Sequence, residues 1–339
     1  MGIQHLNQFL KKNAASGIRI MSFKDLSGKK IAVDTYIYMY RYAIEGNLIE
    51  CMYTLLSLFR YYNITPIFIF DGKPPPEKSE VLLKRRKNRK DAYEEYDKLQ
   101  NSLSNGQEGM EDTEKSDIVE RMNSLKKKFV HINKNDICRV KQLIESYGAC
   151  HYTATGEADE LCAWLAVNDK VWGIMSEDMD MFAYGCPNII RYVSLLKQTC
   201  VWYDLKTILN QLGFTQRDLR EICVLSGTDY TCNKDDTVND LHSTLKLFKR
   251  YFREERKKSE NSEDIKETVG FYDWLSSTTY QNKDYDYEML KKIYDMFDLK
   301  HIKDIYENIK IEYGPIRKNS LNEILKEDGF IFPEVDKSI

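Results

Sequence analysis

The sequence predicts an α/β fold, a central and mostly parallel sheet flanked by helices, and three observations lead there. Short apolar runs such as Ile31-Ala32-Val33, Ile67-Phe68-Ile69-Phe70 and Val171-Trp172-Gly173-Ile174-Met175 read as buried strands. Stripes at helical spacing alternate with them, the first formed by Leu48, Cys51, Met52, Leu55, Leu58, Phe59 and Tyr62. Each of these strand runs also leads into an acidic connection, at Asp34, at Asp71-Gly72 and at Ser176-Glu177-Asp178-Met179-Asp180. Strands alternating with helices imply parallel pairing with both faces of the sheet covered.

In chain order, the strand ending at Asp34 comes first, and the helical stripe follows. Pro66 then opens the strand that ends at Asp71. Ile137, Val140, Leu143, Ile144 and Tyr147 form a second stripe, stopped at Gly148. Gly156-Glu157-Ala158-Asp159-Glu160 opens a further helix, and Gly227-Thr228-Asp229-Tyr230 closes another. Residues 189–193 and 200–203 read as strands between these two. Two stretches break the alternation. Residues 84–134 are charged and weakly periodic, an insertion of basic helices over the edge of the site, loosest at 105–112. Residues 254–267 read as a solvated polar loop, within a C-terminal third that is otherwise helical. The predicted organisation is a core over 1–235, carrying the 84–134 insertion, and a helical C-terminal region over 236–339.

The 339-residue chain is 42% hydrophobic, enough for a sizeable core. No run approaches the ~18 apolar residues of a membrane span, and no signal-peptide pattern opens the chain. Leu6 sits where a myristoylation motif calls for Ser or Thr. The eight cysteines form no Cys-x-x-Cys pair, which favours buried free thiols in a reducing compartment. A soluble intracellular protein is the expectation. The net charge of −3 argues against a polyanionic partner only on average. Lys84-Arg85-Arg86-Lys87-Asn88-Arg89-Lys90, Lys126-Lys127-Lys128 and residues 246–258 concentrate positive charge.

The acidic residues carry the chemistry. In an open α/β sheet, ligands bind in the crevice beyond the carboxyl ends of the strands. Asp34, Asp71, Glu157, Asp159, Asp178, Asp180 and Asp229 gathered there would repel one another unless cations held them. Oxygen-only donors favour Mg²⁺ or Mn²⁺, and a pair of such ions ~3.5–4 Å apart can cleave a phosphodiester. Taken singly, Asp34 can cap a turn, Asp71-Gly72 is a turn signal, and Glu157 and Asp159 are ordinary first-turn helix acids. Asp229 can cap locally. Their common placement at connections of one α/β unit is what points to a two-metal site.

The motifs resemble those of the flap endonuclease family of structure-specific 5′-nucleases, which includes the related eukaryotic 5′-exonucleases. The matching segments are Met1-Gly2-Ile3-Gln4, Ala32-Val33-Asp34-Thr35, Phe70-Asp71-Gly72-Lys73-Pro74-Pro75, Gly156-Glu157-Ala158-Asp159, Ser176-Glu177-Asp178-Met179-Asp180 and Leu225-Ser226-Gly227-Thr228-Asp229-Tyr230. The resemblance implies that the seven acids hold two Mg²⁺ or Mn²⁺ ions. It implies that Lys78 and Arg85 reach the scissile phosphate from the base of a helical arch, and that Tyr40 stacks on a base near the cut. The run containing Lys84 and Arg86 would begin the arch. The implied partner is branched, flapped or 5′-ended duplex DNA, and the implied setting is the nucleus or another compartment of DNA replication.

Two departures stand out. No glycine occurs between Gly227 and Gly270, where the family has a glycine-containing hairpin on duplex backbone. The C-terminal region is therefore read as a degenerate helix-turn-helix, with Asp235, Asp236 and Asp240 in the hairpin's place. Lys246, Lys249, Arg250 and Arg253 would supply compensating DNA contacts. The end of the chain carries no recognisable sliding-clamp peptide. The alternatives are a non-catalytic DNA-junction scaffold and an RNA nuclease on a related sheet. The complete acidic set argues against the first and the basic insertion against the second. The sequence leaves oligomeric state and the choice between flap and end cleavage open.

Overall fold

The computed structural model describes residues 2–105, 112–230, 240–260, 270–277, 285–302 and 306–331. Its sheet comprises β1 (Ile18–Ser22), β2 (Lys30–Asp34), β3 (Thr65–Phe70), β4 (Cys150–Thr153), β5 (Gly173–Met175), β6 (Asn188–Ser194) and β7 (Thr199–Asp204), in the order β1-β7-β6-β5-β2-β3-β4. The pairs β2–β3, β3–β4, β2–β5 and β5–β6 are parallel, whereas β7 runs antiparallel to both β6 and β1. The expected fold class holds.

Alternation along the strands divides the core into two layers. Ala32, Ile67, Ile69, Ile174 and Ile189 face one hydrophobic cluster, while Ile31, Val33, Phe68, Phe70, Met175 and Ile190 face the other. The second layer is covered by α2 (Thr35–Glu45), α3 (Leu48–Tyr61), α6 (Lys134–Ser146) and a final helix, Lys318–Glu327. The first is covered by α1 (Leu6–Asn13), α7 (Ala158–Val167), α8 (Asp180–Tyr184), α9 (Leu205–Leu212) and α10 (Gln216–Leu225). Central strands buried on both faces are why their sequences read as continuous apolar runs.

The C-terminal helices α11 (Leu241–Glu260), α12 (Phe271–Ser277) and α13 (Tyr287–Met296) extend this first layer. Phe248, Tyr251, Phe271 and Trp274 form an aromatic knot against α10. Residues 254–260, expected as a loop, continue α11 instead. Arg, Glu and Lys are good helix formers, and Glu254 is further held by the indole N–H of Trp274 at 2.8 Å. Residues 261–267 of that run lie outside the described residues.

The insertion is a helical hairpin, α4 (Ser79–Asn105) against α5 (Asp112–Phe129). It starts at Ser79, upstream of the basic run. Arg121 pairs with Glu95, and Phe129 meets Tyr93 and Tyr96 at 5.4 and 5.1 Å. Of the stretch expected to be loosest, 106–111 falls outside the described residues. The seven described cysteines are all free, and Cys162, Cys186, Cys200 and Cys223 are buried.

Candidate active site

Strand order reverses around β2: β3 and β4 follow on one side, β5 and β6 on the other. This topological switch point is where a crevice must open. Asp34 ends β2 there and is buried. Its Oδ2 accepts a hydrogen bond from the Ser176 hydroxyl at 2.9 Å, and Ser176 Oγ accepts from the backbone N–H of Asp178 at 3.1 Å. Ser176, which the sequence reading left without a role, thus ties the end of β2 to the loop after β5. Asp178 Oδ1 in turn accepts the N–H of Asp180 at 3.0 Å. The two acids face together because of this turn, with Asp180 opening α8, and not through strand alternation.

Asp71 follows β3, and its Oδ1 accepts the Ala158 N–H at 2.8 Å, which caps the start of α7. Gly72 lies against the backbone of 154–156 with its N–H on the Gly156 carbonyl at 2.7 Å, and a Cβ there would collide with the Ala154 carbonyl. Asp71-Gly72 is therefore a docking point between two crevice loops. Glu157 occupies the N-cap position of the same helix, its side chain making no cap bond, and Asp159 lies in the first turn. Glu157 Oε2 receives both the Lys78 ammonium and the Tyr230 hydroxyl, each at 2.7 Å.

Two supports of the acidic loop were not legible beforehand. Arg191 is buried on β6, where its guanidinium donates to the Glu177 carbonyl at 2.8 Å and to Met179 Sδ at 2.6 Å. Next to it, Tyr192 adopts φ 53° at an irregularity in the β6–β7 pairing, and its N–H meets Glu177 Oε1 at 2.7 Å. A tyrosine in the left-handed region stores strain, a feature that collects at functional sites. Here it pairs with Arg191 to clamp the segment that presents Asp178 and Asp180. Gly2 supplies the third wall: at φ +72° it approaches Asp178 and Asp180 so closely that a Cβ would strike both carboxylates.

Electrostatics follow from crowding. Burial, with Asp71 and Asp178 nearby, pushes Asp34 up to about 7 despite the Ser176 bond. Burial and the neighbouring acids likewise raise Asp159 and Asp180 well above the carboxylate range. Burial alone would lower Lys78, but Glu157, Asp159 and Asp180 outweigh it and hold its pKa above the ordinary value. In chelator, the stability that Asp34 contributes is present below about pH 4 and lost as pH rises through about 7, because ionisation in the fold is disfavoured. Asp34→Asn is therefore expected to raise the melting temperature of the metal-free protein by several degrees at pH 8 and by little at pH 4. Thermal melts across that range check this; a pH-independent difference would assign it to packing.

Arg85, on the first turns of α4, reaches Asp229 Oδ2 at 2.6 Å. Both cations expected at the arch base thus stand among the acids. Lys84 and Arg86 are exposed on α4. Tyr40 is half-buried beside Tyr36, 6.5 Å between ring centroids, and packs against the core. On α11, Lys246, Lys249, Arg250 and Arg253 are exposed at helical spacing on one face. Lys246 and Lys249 line a groove of about 400 Å³ with His5, Gln8 and Lys12 from the α1 side. Asp240 lines the same groove and caps α11 by accepting the Ser243 N–H at 2.9 Å. Asp235 and Asp236 lie outside the described residues.

The donor set suits hard divalent cations, being carboxylate throughout. Asp180 Oδ1 is buried with no hydrogen-bond partner among the described residues, an acceptor that a cation would satisfy. Among the described residues no three His, Cys, Asp or Glu side chains close around a single point. Mg²⁺ accommodates this, since it commonly takes one or two carboxylates and keeps several waters.

Acids thus gather at the switch point of the mostly parallel sheet, at the foot of the basic helical hairpin α4–α5. Residues 1–92 match the XPG N-terminal domain and residues 148–229 the XPG I-region. Flap endonuclease 1-A of Sorghum bicolor is 30% identical over 270 residues, covering 74% of this chain and 67% of that one. Flap endonuclease 1 of Glycine max is 29% identical over 272 residues, and the chain spans 66% of its length. The fold is similar to the catalytic core of Rad2, with a TM-score of 0.58 at 19% identity, covering 97% of this chain and 96% of that one. The chain belongs to the flap endonuclease/XPG family.

Proposed function

We propose that the protein is a divalent-metal-dependent, structure-specific 5′ nuclease that cleaves DNA flaps or 5′ ends in replication, repair or recombination. The observation that carries this is the meeting of Asp34, Asp71, Glu157, Asp159, Asp178, Asp180 and Asp229 with Lys78 and Arg85 at the foot of the arch. Mg²⁺ or Mn²⁺ ions held by these acids, two in the full site, would lower the pKa of an attacking water and neutralise phosphate charge. Lys78 and Arg85 supply fixed positive charge where the phosphate would sit. The hairpin α4–α5 borders a path for a single strand. Tyr40, half-buried, would stack on a base near the cut. The Glu177 clamp keeps Asp178 and Asp180 from spreading under mutual repulsion.

The test uses the whole chain on a 5′-flap duplex labelled at either end, with single-stranded RNA and intact duplex alongside. Mg²⁺-dependent incision near the junction, abolished by chelator, is expected. Binding of the junction without cleavage under any divalent ion would instead leave a DNA-junction scaffold.

Duplex contact is assigned to α11, because the glycine hairpin of the family is missing from the sequence. Replacing Lys246, Lys249, Arg250 and Arg253 together by Ala is expected to weaken flap binding about tenfold or more and to flatten its salt dependence. Weak K⁺ stimulation is expected as well. Footprints a full helical turn from the junction that survive this substitution, with strong K⁺ stimulation, would place the duplex elsewhere.

A further inference from the structure

We infer that Tyr230 is a positioning residue of this site, its hydroxyl fixing Glu157 and its ring seating the Lys78 ammonium; the inference rests on the nuclease reading above. Three contacts meet at this side chain. Its hydroxyl donates to Glu157 Oε2 at 2.7 Å, the same oxygen that Lys78 reaches at 2.7 Å. Lys78 Nζ also stands 4.5 Å from the centroid of the Tyr230 ring. The three groups form a closed triangle in which each holds the other two. Tyr230 itself is buried at 6% exposure, and its far side packs on Phe297 at 5.6 Å. Phe297 also meets Tyr184 at 4.8 Å, and the two tyrosine hydroxyls lie 3.4 Å apart.

A salt bridge alone would not fix Glu157. Its carboxylate lines a cavity of about 340 Å³ shared with Tyr184, Tyr230, Lys292 and Met296. That space gives Glu157 room to rotate once a contact is lost. The hydroxyl removes this freedom by directing one carboxylate oxygen, as groups behind metal-binding carboxylates commonly do. The ring adds an attractive face for the ammonium in a site screened from water. Through Phe297 at the end of α13, the C-terminal helices become part of the support for groups at the foot of the arch.

The experiment compares Tyr230→Phe, which deletes only the hydroxyl, with Tyr230→Leu, which deletes the ring as well. Tyr272→Phe serves as a comparator that removes a buried hydroxyl of the same core layer, one that donates to the Glu221 carbonyl at 2.9 Å. Mn²⁺ binding is followed by electron paramagnetic resonance, and single-turnover cleavage and affinity are measured on the 5′ flap. Tyr230→Phe is expected to weaken Mn²⁺ binding and slow single-turnover cleavage by on the order of tenfold each. DNA affinity should stay within about twofold. Tyr230→Leu should lose roughly another tenfold in rate, and Tyr272→Phe should match the wild type.

Equal behaviour of Tyr230→Phe and wild type in both Mn²⁺ affinity and rate would overturn the inference. So would equal losses in Tyr230→Phe and Tyr272→Phe, which would mean general loosening of the core. If the wild type proves inactive on every flap, the nuclease reading falls, while the Mn²⁺ titration still decides whether Tyr230 positions Glu157.

Discussion

Asp180→Ala is expected to bring cleavage of a 5′ flap below about a tenth of the wild-type rate at saturating Mg²⁺, with DNA binding and folding retained. Asp180 Oδ1 has no hydrogen-bond partner among the described residues, and burial together with the neighbouring acids pushes Asp180 toward the protonated state. Such a carboxylate is a liability to the fold unless a cation takes it up. Removing it costs the site a ligand and several kcal/mol of charge stabilisation in the reaction, while relieving repulsion in the resting protein. Metal-free Asp180→Ala should therefore melt no lower than wild type, and flap affinity should hold or tighten. Asp34→Ala should behave alike in cleavage. Single-turnover rates with matched binding isotherms decide the matter, and retention of a large share of the rate would remove that residue from the catalytic set.

Lys78→Ala and Arg85→Ala are each expected to slow the single-turnover step by on the order of 10²-fold with modest loss of affinity. Lys78 is almost wholly buried and held between Glu157 and the Tyr230 ring. Arg85 is more open, but points its guanidinium at Asp229. Neither is placed as a freely solvated charge. Lys126, exposed on α5, is the control: Lys126→Ala should mainly reduce affinity and its salt slope. If all three weakened binding in proportion to rate, the arch would act only as an electrostatic funnel.

The acids stood out in the sequence because each is adjacent to a strand end, a helix start or, for Asp229, a helix end, so local pattern and chemistry coincide. The clamp around it was not. Arg191 reads as a lone charge in an apolar strand, and Tyr192 as one of many tyrosines. Only the irregularity between β6 and β7 turns the pair toward Glu177. Likewise, residues 254–260 look like a polar loop in isolation, yet they continue a helix that the Phe248, Phe271 and Trp274 knot has already nucleated. A charged helix end carries no apolar period, so its state is decided by what precedes it.

The sequence by itself determined the α/β class, the acids at strand ends and the basic run that opens the arch. These depend on alternation, helical spacing and turn chemistry, all of which act within a few residues. The tertiary structure alone decided that strand order reverses at β2, bringing Asp34 beside the Ser176–Asp180 loop. It alone placed Lys78, Glu157 and Tyr230 in mutual contact. Residues far apart along the chain meet only when the sheet has chosen its order and both layers have packed, and no local pattern encodes that choice.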